Sequence, residues 1–203
     1  TSVRSARDIN TGNVFGIPTE LRLWDNYSAV FIQSEAATYI MNSIMITLPT
    51  VAISVTLACL AGYALAIYKF RLALPLFFLF VAGNFIPFQI LMVPVRDMSV
   101  QTGLYDTIAG QFLFHAAFQT GFCTLFMRNF IKALPFDLIE SARIEGVKEW
   151  QIFWFVVLPL VRPAVAALSV LVFTFVWNDF FWANVLTQGE DVKPITAGIR
   201  ALN

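Results

Sequence analysis

Residues 39–68 read YIMNSIMITLPTVAISVTLACLAGYALAIY and carry no charged side chain. Crossing the hydrocarbon core of a bilayer takes about 20 predominantly apolar residues in a helix, so this run has the length and composition of a membrane span. It is continuous, whereas barrel strands alternate apolar and polar positions over about ten residues. Three similar runs follow: 72–95, uncharged; 107–127, whose only ionisable group is His115; and 152–182, with Arg162 near its start and Asp179 near its end. Pro49, Pro75, Pro87, Pro94, Pro159 and Pro163 fall within the runs. Such prolines break helices in water, but in a membrane bundle neighbouring helices can satisfy the freed carbonyls. The sequence therefore predicts an all-α membrane protein, a polytopic helical bundle with four spans.

Composition agrees. Hydrophobic residues make up 58% of the 203 and charged residues 13%, against about 25% charged in a soluble domain. Phe is abundant, at 21 residues, and the formal net charge is zero. A nucleic-acid partner therefore has no electrostatic footprint here. Cys59 and Cys123 both fall in apolar runs and read as small buried hydrophobes rather than a disulfide. The spans hold no His-Glu zinc pattern, serine elbow or paired carboxylates, and the chain has no Gly-Lys-Ser/Thr phosphate loop. The expectation is thus no catalytic residue, no metal site, no cofactor in this chain and no ATP hydrolysis of its own.

Basic residues set the topology. Lys69 and Arg71 follow the first run, and Arg128, Lys132, Arg143 and Lys148 lie between the third and fourth. Elsewhere bases are offset by acids: Arg96 beside Asp97 and Asp106, and Lys193 and Arg200 against Glu190 and Asp191. The connections after the first and third runs are therefore expected in the cytoplasm and the others outside. This divides the chain into an external polar segment, 1–38, and a transmembrane domain, 39–203. Export of 1–38, with no signal peptide ahead of it, implies a further span upstream.

The longest cytoplasmic connection, residues 127–150, reads MRNFIKALPFDLIESARIEGVKEW. Asp137 after Pro135 can cap a helix, with Glu140 three residues on completing a capping-box pattern. Gly146 can take the left-handed geometry that stops it, and would let another backbone come close. A helix of about two turns is too short to stand alone. It needs a surface: a groove on a partner protein, or the lipid surface.

Glu140-Ser141-Ala142, three residues, Gly146, nine residues, then Val156-Val157-Leu158-Pro159 resembles the cytoplasmic signature of binding-protein-dependent ABC importer permeases. That signature is Glu-Ala-Ala, three residues, Gly, nine residues, Ile, any residue, Leu-Pro. Ser141 and Val156 are the departures, both small in volume. The resemblance extends to the carbohydrate branch, of the type of the maltose transporter's smaller permease, through Glu149-Trp150, Ile152-Phe153-Trp154 and the stretch Trp177 to Trp182. Asn42-Ser43, residues 62–66, Ile86-Pro87 and Val93-Pro94 fit as well. In all it covers Trp24 to Asn203, and family members usually have six spans, so by that alignment the first and last lie outside this chain.

The resemblance implies a type I importer permease in the cell's inner (plasma) membrane. Its implied partners are a second permease subunit, two ATPase subunits that bind ATP and Mg, an external solute-binding protein, membrane lipid and a sugar. It makes the helix at about 137–146 a coupling helix seated on one ATPase, with Glu140, Ser141, Ala142, Gly146, Leu158 and Pro159 as docking residues. For the substrate path, polar groups within the spans are the candidates: Asn84, Gln89, Gln119, Asn178 and Asp179, with Gln111 and His115 beside them. Each could instead bond between helices, worth about 0.6 kcal/mol on average. His115 lacks an evident ionisable partner at its depth, which argues against a proton relay. Two other readings stay in view: a permease of the same family for a non-sugar solute, and a standalone ion-coupled secondary transporter, which would need ionisable groups inside the spans.

Overall fold

The computed structural model describes residues 22–28 and 35–198, which contain helices and no strand. A short helix α1 (Leu23–Ser28) precedes the long α2 (Ala36–Ile67). Then come α3 (Ala73–Phe85), a 3-10 turn at Phe88–Leu91, α4 (Met92–Gln101) and α5 (Ile108–Lys132). The second half holds α6 (Phe136–Ile144), α7 (Glu149–Leu160), α8 (Arg162–Trp177), α9 (Phe181–Leu186) and α10 (Ile195–Gly198). The first and third apolar runs are single helices. The external segment expected over 1–38 lies mostly outside the described residues.

The second and fourth runs are not the continuous helices expected from the sequence. Ala73–Gly83 and Phe88–Gln101 meet at 90°, and α7 and α8 at 74°. Proline causes both bends. The residue before a proline is driven out of the helical region; Ile86 sits at φ −74°, ψ 122°, ahead of Pro87. In the fourth run, Pro159 and Pro163 have no N–H to give to the carbonyls four residues back. The segment ahead of Pro159 widens into a π-helix over Ile152–Val157, and the chain turns at Val161, φ −94°, ψ 7°. The fourth run also ends as a helix at Trp177, leaving Asn178 and Asp179 in the gap before α9.

Among the described residues, one helix, α2, is long and apolar enough to cross a membrane, or up to three spans if each bent pair counts as one. The 25-residue α5 has the length, but Gln111, His115, Gln119 and Thr124 dilute its apolarity.

Those polar groups face inward. On α2, Asn42, Ser43, Thr47, Thr50 and Ser54 are buried, while Met41, Met45, Leu48, Leu57 and Leu60 are exposed. On α5, Gln111, His115, Gln119 and Thr124 are buried as well. This reverses the soluble pattern and suits a bundle whose surroundings are as apolar as its core. Small side chains let helices approach where no water drives them together. The Thr50 hydroxyl donates to Ile46 O at 2.7 Å and reaches Phe112 O of α5 at 3.3 Å. At Gly62 α2 and α5 come close: an added Cβ would lie 2.9 Å from Arg128 N and 3.0 Å from Met127 Cβ. Cys59 and Cys123 are buried and unpaired in the core formed here.

At the opposite end, residues 187–198 are stitched onto α2 and α5 by side chains. Tyr39 donates to Glu190, Asn42 Nδ2 to the carbonyls of Asp191 (2.8 Å) and Lys193 (3.0 Å), and Gln111 Nε2 to Val192 O (3.0 Å). Asp106 Oδ1 accepts the amides of Gln188 and Gly189 at 2.7 and 2.9 Å. Lys193 and Tyr39 hold the exposed Glu190 carboxyl below its ordinary pKa.

Gly62→Leu is expected to overpack the α2–α5 contact and cost about 1–3 kcal/mol, read as a lowered thermal midpoint of the detergent-solubilised protein. Gly83→Ala, where an added Cβ meets nothing within 4 Å, should not lower it. Equal midpoints for the Gly62 variant and the wild type would contradict this packing.

Candidate functional site

The connection between α5 and α7 folds as the sequence suggests, with one difference at its start. Pro135, at φ −59°, ψ 118°, occupies the capping position, and no side chain caps the helix. The expected Asp137 cap and Glu140 capping box are therefore absent. Proline's own extended backbone sets the cap two residues earlier than the expected Asp137, so Asp137 falls in the first turn, where a negative charge favours the helix dipole. Glu140 and Ser141 are exposed, and neither side chain hydrogen-bonds to a described residue.

The end of α6 is a Schellman motif. Gly146 adopts φ +78°, its N–H donates to Arg143 O (3.0 Å), and Val147 N–H donates to Ala142 O (3.0 Å). An added Cβ at Gly146 would meet nothing within 4 Å. The glycine is thus required by its backbone angle; the close approach of another backbone expected there does not occur among the described residues.

Ile139 is the one fully buried side chain of α6 and packs into the core; Ala142 is half-buried beside it. The other face is open and apolar, with Leu138 46% and Ile144 82% exposed, and Trp150 57% exposed just beyond.

A single carboxylate braces the end of this helix. Glu149, the first residue of α7, accepts from Arg143 Nε at 2.6 Å on Oε1. Its Oε2 accepts from Arg143 Nη2 at 3.2 Å, the Tyr68 hydroxyl at 2.8 Å and the Tyr63 hydroxyl at 3.1 Å. The hydrogen bond to Glu149 raises the Arg143 pKa above its ordinary value. Sequence reasoning gave Glu149, Tyr63 and Arg143 no role at this joint. They lie far apart in the chain, or on either side of Gly146, so no helical spacing links them. Glu149 is one of four acids in a connection with four bases, so composition did not single it out.

Leu158 and Pro159 lie apart from α6, half-buried at the far end of α7 where the chain bends. Among the path candidates, Asn178 and Asp179 come together in an open groove of about 620 Å³ with Thr174, Phe175, Phe180 and Phe181. Both also serve local structure: Asn178 Nδ2 donates to Thr174 O (2.7 Å), and Asp179 Oδ2 accepts from Ala183 N (3.1 Å). Gln89 is exposed in the 3-10 turn, and Gln119 is buried on α5 with no partner for its Nε2 among the described residues. Neither lines the groove. Asn84 belongs to α3, but its side chain lies outside the described residues. Gln111 is committed to Val192. His115 does have an ionisable neighbour, contrary to the expectation from sequence: its Nε2 lies 3.7 Å from Asp179 Oδ2. The α8–α9 gap folds Asp179 back over α5, which linear depth along a straight span could not reveal.

The profile of the family described as "Binding-protein-dependent transport system inner membrane component" matches residues 33–202. The chain is 31% identical over 180 residues to the lactose transport system permease protein LacG of Rhizobium radiobacter, covering 89% of this chain and 65% of that protein. It is 36% identical to the osmoprotective compounds uptake permease protein GgtD of Synechocystis sp., over 97% of this chain and 68% of that one. The arabinooligosaccharides transport system permease protein AraQ of Halalkalibacterium halodurans is 32% identical over 91% of this chain and 66% of its own. The chain thus spans about two thirds of the length of these relatives, and slightly less than that of the first. Among solved structures, a chain of a bacterial ABC transporter involved in the import of the acidic polysaccharide alginate superposes with a TM-score of 0.85 at 26% identity, covering 98% of this chain and 70% of that one.

Gly146→Ala is expected to strain the end of α6 by about 1–2 kcal/mol, and Gly146→Asn by less, because Asn tolerates left-handed backbone. Faster hydrogen exchange at the Val147 amide, in the order Ala, Asn, Gly, is the measurement; equal exchange in all three would contradict the motif's role.

Proposed function

The chain belongs to the family of binding-protein-dependent transport system inner membrane components, and on that premise we propose that it is the permease subunit of an ATP-driven sugar importer. The observation that carries the proposal is α6. It is a short helix with defined ends, anchored by Ile139, with an open apolar face and two exposed polar side chains, Glu140 and Ser141, that bond to no described residue. A helix this short is not stable alone, and its open face is the complement of a groove on a partner. The unbroken spacing from Glu140 to Pro159 supports the same reading.

In this proposal one of two ATPase subunits receives α6 through Glu140, Ser141, Ala142 and Gly146. ATP and Mg bind on those subunits, and this chain holds no cofactor. Leu158 and Pro159 act by shaping the bend above the docking helix. A second permease subunit completes the path, and an external solute-binding protein delivers the sugar. The protein is multi-pass in the inner (plasma) membrane, with residues 1–38 outside and 39–203 forming the transmembrane domain. Coupling requires that the ATP-bound partner fit one permease state better than the other. On the path, Asn178 and Asp179 offer amide and carboxylate partners for hydroxyls, with Phe175, Phe180 and Phe181 for ring faces; Asn84, Gln89 and Gln119 remain candidates in other states of the bundle. The carbohydrate relatives favour a sugar, while the osmoprotectant relative keeps a different solute in view.

One observation favours a second reading. The His115–Asp179 contact supplies the buried ionisable pair that an ion-coupled secondary transporter would use.

Tagged full-length protein, purified from its native membranes in mild detergent, is expected to bring with it a second permease and an ATPase in stoichiometric amount. Glu140→Lys, which reverses charge on the open face, and Gly146→Asp should each abolish sugar uptake and lose the ATPase while remaining membrane-inserted. Recovery of the protein alone, with uptake abolished by a protonophore and indifferent to ATP, would overturn the proposal in favour of the second reading.

A further inference from the structure

The Glu149 carboxylate is shared by three elements. Arg143 belongs to the last turn of α6, Glu149 begins α7, and Tyr63 and Tyr68 lie in and just past the last turn of α2. Both carboxylate oxygens are engaged by four donor atoms between 2.6 and 3.2 Å. Rings hold the donors in place: Tyr63 meets Tyr68 edge-on at 5.8 Å between centroids and Phe153 of α7 at 5.2 Å.

We infer that Glu149 is a positioning residue that makes α6 move with α2 and α7, and so sets how tightly ATP hydrolysis is coupled to transport. The inference rests on the reading of α6 as the ATPase-coupled helix. Its basis is mechanical. Ile139 is the one buried side chain of α6, with Ala142 half-buried beside it, and a helix held to the core over one short stretch can pivot about it. Arg143, one turn further on, supplies the second point, and Glu149 is what Arg143 holds. Charge-assisted, two-pronged contacts of an Arg with a carboxylate fix orientation as well as distance. The pair is also partly open to solvent, with side chains 32% and 43% exposed for Arg143 and Glu149. Pairs this exposed contribute little to overall stability, so the contact is suited to orientation rather than to holding the fold. Past Glu149, α7 runs through its π-helical stretch into the bend with α8, which leads to the groove at Asn178 and Asp179.

The test uses the intact complex in proteoliposomes, with the solute-binding protein present, and measures sugar transported per ATP hydrolysed. Glu149→Gln removes the charge and leaves the docking residues untouched. The ATPase should still co-purify, hydrolysis should persist, and transport per ATP should fall on the order of tenfold, within the range typical of coupling between sites. The exchange Arg143→Glu with Glu149→Arg should restore part of the ratio, and Tyr68→Phe should lower it less than Glu149→Gln does. An unchanged ratio in Glu149→Gln would overturn the inference and leave the proposed function standing. Loss of the ATPase, with transport and hydrolysis falling in proportion and no rescue by the exchange, would also overturn it, making Glu149 a structural or docking group. If Glu149→Gln fails to insert, Tyr68→Phe is read by the same criteria. A wild-type complex without an ATPase would instead sink the proposed function itself.

Discussion

The bundle depends on the close contact of α2 with α5. In a medium as apolar as the side chains themselves, helices gain little by hiding Leu or Phe from their surroundings. Association comes from close approach and from polar groups with nowhere else to bond. Both are present along this seam. Gly62 lets the backbone of α2 reach Arg128 and Met127, and Thr50 bridges to the carbonyl of Phe112. The remaining elements attach to this pair. Residues 187–198 are sewn to one end through Tyr39, Asn42 and Gln111, and α6 and α7 are clamped to the other through Tyr63 and Tyr68.

The same seam explains what was legible in the sequence. An uncharged run such as 39–68 has one solution in a membrane, and it forms one helix. Gly146 was legible because a left-handed residue at the end of a helix is a local matter, settled by the chain's own carbonyls. The two bends were written in the prolines, yet their effect was not. Pro49 lies inside the continuous α2, whereas Pro87 and the Pro159/Pro163 pair turn the chain by 90° and 74°. Pro49 removes one hydrogen bond from a well-packed helix that stays continuous; Pro87 follows a residue that is already extended, and Pro159 and Pro163, four apart, remove successive bonds along one line.

The polar residues were the hardest to read, because a buried amide has the same sequence signal whether it binds a ligand or a neighbouring carbonyl. Gln111 proved to hold Val192, and Asn178 to hold Thr174. Gln119 and the Asn178–Asp179 groove keep a capacity for something else. The His115–Asp179 contact and the Glu149 joint depend on where non-helical segments return in space, which no periodicity encodes.

One consequence concerns how a displacement travels through this molecule. The open face of α6 and the groove at Asn178 and Asp179 are the two ends of a continuous path, α6–α7–α8. Packed helices transmit strain because they have few voids to absorb it, but a flexible joint would dissipate it. The Glu149 cluster lies at the first joint of this path, and the π-helical stretch and the Val161 turn lead into the second. Under the proposed coupling role of α6, a push on it would pass through the Glu149 cluster into α7 and α2, and the bend between α7 and α8 would be where the angle changes. On that proposal, a braced joint beside α6 and an irregular one toward the groove would convert a shift of the short helix into a reorientation of α8.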